Sequence, residues 1–321
     1  MYAITGSELL ELTEVPDPVP APDEVLVRVS TAGVNRADVL QRAGLYPPPP
    51  GASEILGLEV SGHIEALGSQ VAGWTVGEPV CALLSGGGYA EKVAVPASQL
   101  LPIPDGVSLR DAAGLPEVAC TVMSNVFGAA ELQPGELLLI HGGSSGVGTH
   151  AIQVAKAFGA RVAVTARNPE KLARCAELGA DLLIDYSYED FVAALSPHGG
   201  ADVILDVVGA DYLPRNIDVL AVGGRLVVIG LQGGRKGELD LGKLLGKRGA
   251  VLGTTLRARP TYGLGSKAEV VSSTREGTWP MISSGAVKPV IDSVYPLAEA
   301  GAAHDRMTSG GSVGKILLEV G

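Results

Sequence analysis

The sequence predicts an α/β fold, a doubly wound parallel sheet set within a β-rich chain, and three observations predict it. From about Glu136 onward, apolar strand-like runs alternate with Gly-containing turns and helix-like runs. Between Val25 and Leu101 the runs are short, rich in Val, Leu and Ile, and punctuated by Gly and Pro. At the junction of one strand-like and one helix-like run lies HGGSSGVGTH, residues 141–150, with four glycines and two serines.

Taken in order, the first part supplies EVLVRVS, EVSGHIEAL, PVCALL and AEKVAV as strands. The PPPP at 47–50 is a stiff local segment, too short to link domains. The second part reads ELLLIH then VGTHAIQVAKAFGA, RVAVTA then PEKLARCAELGA, LLIDY then YEDFVAALS, DVILDVV then YLPRNIDVLA, followed by RLVVIG and AVLGTT. Such alternation builds a parallel sheet covered by helices on both faces. After about Arg257 the pattern predicts one helix around Lys267–Ser283 and a terminal strand, KILLEV. No internal repeat of 20–50 residues is present.

Composition narrows the function. With 321 residues, 46% of them apolar, the chain can build one large or two ordinary cores. The formal net charge is −11 and no cluster of five or six Lys/Arg occurs, so the electrostatic footprint for nucleic acid or an anionic membrane is missing. The apolar runs stop well short of the roughly 20 residues of a membrane span, and the N-terminus lacks the basic and apolar regions of a signal peptide. The expectation is a cytoplasmic protein. Cys81, Cys120 and Cys175 are odd in number and far apart, which reads as buried reduced thiols rather than disulfides or a zinc knot.

The glycine-rich stretch then gains a purpose. Gly143, Ser145 and Gly148 stand at the three places of the G-x-G-x-x-G dinucleotide fingerprint, with Ser in the middle, and Gly146, Gly148 and Ala151 match the same spacing with a terminal Ala. Small residues let the backbone of Gly143, Ser144, Ser145, Gly146, Val147 and Gly148 approach a pyrophosphate, whose charge meets free N–H groups and the positive end of a helix. At the end of the second strand, where an NAD site carries an acidic residue, the chain reads TARNPEKL, with Ala166 in the acidic place and Arg167 beside it. A guanidinium grips a 2′-phosphate that a carboxylate would repel. Asn168 and Pro169 read as an N-cap and first helical residue, which brings Lys171 to the same spot. The expected cofactor is therefore NADPH; the alternative is that Arg167 and Lys171 are ordinary solvated charges.

With these residues in place, the chain resembles the zinc-free quinone oxidoreductases of the medium-chain dehydrogenase/reductase superfamily, most closely their tumour-suppressor-inducible type. The resemblance runs through AGVNRADVLQRAGLYPPPPGASEILGLEVSGHIEALG, HGGSSGVGTHAIQVAKAFGA, IDYSYEDF, GGRLVVIGLQGG, LLGKRGAVLGTTLRAR and SVGKILLEV. It implies a GroES-like substrate domain, residues 1–115 and 257–321, around a Rossmann domain, residues 116–256, with the active site in the cleft between them. Zinc-dependent relatives carry ligands at the places of Asn35, Leu58 and Glu117. Leu58 has no ligand atom, and the remaining oxygens make a weak set for zinc, so no metal is expected.

The resemblance also implies a function, NADPH-dependent reduction of a quinone, whose aromatic product makes a Lewis acid dispensable. Asn35 and Tyr46 would face the quinone oxygens, Asn35 orienting a carbonyl and Tyr46 donating a hydrogen bond or relaying a proton. The alternative readings are Tyr46 as an anchor for the proline turn and Asn35 as a turn residue. By the same likeness Thr121 lies near the nicotinamide, Tyr186 joins Lys171 at the ribose phosphate, and Gly230, Leu231, Thr254 and Thr255 line the nicotinamide amide. Arg167 departs from the usual small residue. A homodimer is expected, built on the edge strand AVLGTT. Two rival functions stay open: reduction of alkenals or enones with the same cofactor site, and a crystallin-like NADPH-binding role without turnover. Which quinone or enone is the acceptor is set by loop packing that the residues alone leave open.

Overall fold

The computed structural model describes residues 1–320. The chain falls into two compact units, Met1–Cys120 with Leu256–Gly321, and Thr121–Thr255.

The first unit is built on a seven-stranded sheet. Its spine is the 11-residue strand Glu24–Val34, whose sequence EVLVRVSTAGV is buried at almost every position, with Arg28 the one exposed side chain. It pairs antiparallel with Glu59–Leu67 along one side; on the other, Lys92–Pro96 takes its first half and Lys315–Glu319 its last. The register sets Ala32 against both Val60 and Leu318, and Val34 against Ile316. That register brings the residue after Val34, the first residue of Glu59–Leu67 and the first of Lys315–Glu319 to one end of the sheet. Val25, Val27, Val29, Ile64, Tyr89, Ile316 and Leu318 fill the core beneath it.

The helices of this unit are set by local chemistry. The helix Arg36–Arg42 starts at Asn35, whose backbone N–H donates to the Asp38 carboxylate at 2.8 Å, the return half of a capping box. The single helix expected over Lys267–Ser283 is two helices, Lys267–Gly277 and Trp279–Ser283. The break falls at Thr278 because Pro280, which lacks an N–H, fits only the first turn of a new helix.

The second unit carries a six-stranded, all-parallel sheet in the order Leu182–Asp185, Arg161–Ala166, Leu137–His141, Ala201–Asp206, Leu220–Val228, Ala250–Gly253. The chain winds outward from Leu137–His141 in one direction, then returns and winds outward in the other. The reversal lies at the carboxyl end of Leu137–His141, the topological switch point where such sheets bind ligands. The loop 142–145 leaves the sheet there and enters the helix Gly146–Phe158, which ends at Gly159 in the left-handed conformation (φ 93°). Leu137, Leu139, Ala163, Ile184, Phe191 and Ile204 form the core on one face. AVLGTT contributes the edge strand, though only Ala250–Gly253 pairs.

Candidate functional site

In the second unit, glycine is required in the loop for close packing. A Cβ on Gly148 would lie 2.5 Å from the carbonyl oxygens of Gly142 and Gly143, and one on Gly143 would lie 2.6 Å from Val164 Cβ. The helix start therefore sits directly on the strand end. Ser145 is its N-cap, with Oγ accepting from the Gly148 N–H at 3.0 Å, while Thr149 N–H bonds the Ser145 carbonyl at 2.8 Å. Among the described residues, the N–H groups of Ser144, Gly146 and Val147 have no acceptor. Three unclaimed donors at the positive end of a 13-residue helix make an anion cradle, and its backbone is bare enough to receive a pyrophosphate.

The strand Arg161–Ala166 ends one residue before Arg167, and the helix Pro169–Glu177 begins as expected, with Asn168 Oδ1 accepting from the Lys171 N–H at 3.0 Å. Arg167 Nε donates to the Tyr186 hydroxyl at 3.1 Å, and Ser187 Oγ donates to the Arg167 carbonyl at 2.9 Å. The structure thus gathers Arg167, Tyr186 and Ser187 beside the first turn that carries Lys171. Arg167 and Tyr186 are both exposed. Ser187 is the addition here; its serine identity gave no signal in the sequence.

The remaining second-unit candidates divide. Thr254 Oγ1 bonds the Asn125 side chain, and Asn125 Nδ2 donates to the Thr121 carbonyl at 2.8 Å, so Thr121 and Thr254 are joined through a buried asparagine that sequence reasoning missed. Gly230 approaches the turn after the strand Ala201–Asp206 so closely that a Cβ would lie 2.6 Å from the Val207 carbonyl oxygen, and Leu231 next to it is exposed. Thr255 follows the edge strand and is exposed. Asp206, fully buried, accepts from the N–H groups of Val208 at 2.7 Å and Gly209 at 3.0 Å, which pins the turn at the carboxyl end of its strand.

In the first unit, the end of the sheet where Val34, Glu59 and Lys315 meet carries a buried ionic network. Lys315 Nζ donates to the Val34 carbonyl at 2.9 Å and Asn35 Oδ1 at 2.7 Å, and pairs with Glu59 Oε1 at 2.5 Å. Asn35 Nδ2 donates to the same Glu59 oxygen at 2.9 Å and more loosely to the Gly33 carbonyl at 3.4 Å. Glu59 Oε2 accepts from the Glu117 N–H at 2.9 Å. Gly33 makes room: a Cβ there would lie 2.3 Å from Glu59 Oε1. Asp38 adds a second layer, accepting from Asn35, from Gly57 N–H at 3.0 Å and from the Tyr89 hydroxyl at 3.3 Å. Burial pushes its carboxyl up to about 6 against those hydrogen bonds.

Tyr46 stands half-buried beside the proline turn, with the Arg257 guanidinium 5.5 Å from its ring centroid. Arg257 is buried and spends its donors on neutral oxygens: the Ser85 carbonyl at 2.8 Å, Gln41 Oε1 at 2.7 Å and the Tyr46 carbonyl at 3.4 Å. Arg257 thus meets Tyr46 at both its carbonyl and its ring. Lys315 and Arg257 were not picked out from the sequence, although a lysine at the head of the apolar run ILLEV was a signal that could have found the first.

A family model described as alcohol dehydrogenase GroES-like domain matches residues 21–105, and one described as zinc-binding dehydrogenase matches residues 146–266. The chain is 33% identical to a quinone oxidoreductase of Pseudomonas aeruginosa, covering 98% of this chain and 97% of that protein. It is 30% identical to the quinone oxidoreductase of Mus musculus, covering 99% and 96% respectively. The crystal structure of Escherichia coli quinone oxidoreductase complexed with NADPH superposes with a TM-score of 0.87 at 29% identity, covering 99% of this chain and 98% of that one. Likeness of this extent, spanning the glycine loop and the ionic network alike, is decisive: the chain belongs to the quinone oxidoreductase family of the medium-chain dehydrogenase/reductase superfamily.

Proposed function

We propose that this protein is an NADPH-dependent quinone reductase that transfers hydride without zinc and works as a homodimer. The observation that carries the reading is the alignment with quinone oxidoreductases over 98–99% of the chain, which includes both the anion cradle and the Asn35–Glu59–Lys315 network. Bound NADPH supplies the hydride. The residues present fit it: the Ser144, Gly146 and Val147 N–H groups would hold its pyrophosphate, and Arg167, Lys171 and Tyr186 its 2′-phosphate. Gly230, Leu231, Thr121, Thr254 and Thr255 would bound the nicotinamide.

The donor set speaks against a Lewis acid. Leu58 offers no ligand atom, Glu59 is already paired, and the Lys315 ammonium places a positive charge among the oxygens that a zinc ion would need. What the protein contributes instead is orientation. Asn35 is held by Lys315 and Glu59, and the loosely engaged N–H of its Nδ2, whose nitrogen is 3.4 Å from the Gly33 carbonyl oxygen, is what it has to offer an acceptor carbonyl. Tyr46 offers a phenolic hydroxyl to the oxygen that becomes negative. For the dimer, support comes from the edge strand Ala250–Gly253 and the adjoining helix Leu241–Lys247, which leaves Leu241 and Leu245 exposed.

The test is a steady-state acceptor panel with NADPH, run on protein whose zinc content and solution mass are measured on the same preparation. Ortho- and para-quinones are expected to be fast, enones slow and simple aldehydes inert, with well under one zinc per chain and the mass of a dimer. Alkenals reduced far faster than any quinone would replace the quinone reading by the enone-reductase one, and NADPH binding without turnover of any acceptor would favour the crystallin-like role.

A further inference from the structure

We propose that Asn125 is a positioning residue for the cofactor: it fixes the Thr254 hydroxyl as a hydrogen-bond acceptor, and so selects a nicotinamide whose carboxamide has an N–H to donate. This rests on the reading that Thr254 bounds the nicotinamide of NADPH. Every residue involved lies within the unit Thr121–Thr255.

The parallel sheet gives the setting. Its six strands point the same way, so their carboxyl ends share one edge. Arg167 follows the strand on one side of Leu137–His141, and the N–H donors of Ser144, Gly146 and Val147 follow Leu137–His141 itself. Thr254 follows the edge strand on the other side. A dinucleotide with its 2′-phosphate at Arg167 and its pyrophosphate on those donors runs on to the far half of this edge, where the strands lead into Gly230 and Thr254. Residues Met123–Ala129 lie against two strands of that half, Ala201–Asp206 and Leu220–Val228. They form a π-helix, in which the Asn125 carbonyl accepts from the Ala130 N–H, five residues on, at 2.9 Å. Such wide turns are rare and recur at functional sites.

The polarity of the hydrogen bonds follows from chemistry. Asn125, only 2% exposed, reaches the Thr121 carbonyl at 2.8 Å; a carbonyl oxygen only accepts, so the group facing it is Nδ2. Ser124 Oγ, 3.4 Å from both, accepts from Nδ2 and donates to the Thr121 carbonyl, in agreement with that orientation. Asn125 Oδ1 therefore faces Thr254. It too only accepts, so the single hydroxyl hydrogen of Thr254 is spent on Asn125. What Thr254 has left is the lone pairs of its oxygen, to which no described residue donates, on a half-buried side chain at the carboxyl edge of the sheet. A threonine hydroxyl without such a bond serves a donor or an acceptor alike; this one serves a donor only. The amino group of a carboxamide meets that demand. A carboxylate or a methyl ketone in its place does not.

The experiment is equilibrium titration of the full chain with three nucleotides, followed by calorimetry. They are NADP+, its 3-acetylpyridine analogue, in which a methyl replaces the amino group, and 2′,5′-ADP, which has no nicotinamide. Wild-type protein should prefer NADP+ over the analogue by about 5- to 10-fold, the worth of one hydrogen bond. Asn125→Leu, which lets the hydroxyl turn, and Thr254→Val, which removes it, should each bring the preference to within about twofold, and the double variant should go no further. Thr254→Ser should keep it. All variants should bind 2′,5′-ADP as the wild type does. A wild type without the preference, or Asn125→Leu and Thr254→Val variants that keep it, overturns the inference. So does a matching loss of 2′,5′-ADP affinity in both variants, which would make the pair structural. Wild-type protein that binds no 2′,5′-ADP overturns the cofactor reading itself, a failure seen before any variant is compared.

Discussion

Lys171 stands in the first turn of the helix Pro169–Glu177, where the helix dipole disfavours a cation, and Arg167 lies just ahead with its Nε on the Tyr186 hydroxyl. The helix is capped by Asn168 and started by Pro169. A 2′-phosphate held between them is the role we propose for both. Arg167→Ala combined with Lys171→Ala should weaken NADPH binding by about 2–4 kcal/mol, the worth of charge-assisted hydrogen bonds, and leave NADH binding nearly unchanged in a fluorescence titration. An equal loss for both cofactors would make these residues structural. The placement of the two charges was legible because the cap and first turn of this helix are readable in the sequence. Asn35 was legible as a residue but not in its bonding. Its amide is claimed by Lys315, 280 positions away, and by Glu59, partners that only the strand register brings to it.

At the scale of elements, the strand–loop–helix of residues 137–158 was readable because its glycine spacing, its cap and its periodicities all agree, and the structure realises each. The tail from Leu256 was less so: the apolar pattern runs through Thr278, while the proline at 280 divides it into two helices. The loop also supports a sharp test. Gly148 has no room for a Cβ, since both obstructing atoms are backbone carbonyl oxygens of the loop itself. Gly148→Ala must therefore lift the helix start off residues 142–143 and spread the Ser144, Gly146 and Val147 donors. The expected result is a loss of at least about tenfold in affinity for NADPH and NADH alike, with a stability cost of about 1–3 kcal/mol in urea titrations. That pattern separates the pyrophosphate cradle from the 2′-phosphate pair, whose loss is confined to NADPH.

For the whole molecule, buried titratable groups are divided unevenly between the two units, and the division sets opposite pH responses. In the second unit His141 and His150 are both held near 4 by burial, which at His141 outweighs its hydrogen bond to Asn216 and is reinforced by the Arg215 charge. As pH falls from about 6.5 towards 4, the unfolded chain takes up two protons that the folded unit refuses, so stability is lost through that window. Asp206, raised by burial, works in the opposite sense but binds only one proton. In the first unit His304, also near 4, contributes the same acid-side loss. Asp38 at about 6 and Glu117 at about 8 outweigh it, because their folded forms hold protons that the unfolded chain releases from about pH 4 upward. Between pH 5 and 6.5, then, acidification removes stability from Thr121–Thr255 and adds it to the unit of Met1–Cys120 with Leu256–Gly321. Each net proton is worth about 1.4 kcal/mol per pH unit at full effect. Calorimetry from pH 7.5 down to 5 should accordingly resolve a transition that moves to lower temperature and another that holds or rises. Assignment comes from His150→Gln, which should flatten only the falling one, and from Glu117→Gln, which should flatten only the other. A single transition whose midpoint follows neither variant would show that these buried groups do not control the acid stability of the chain.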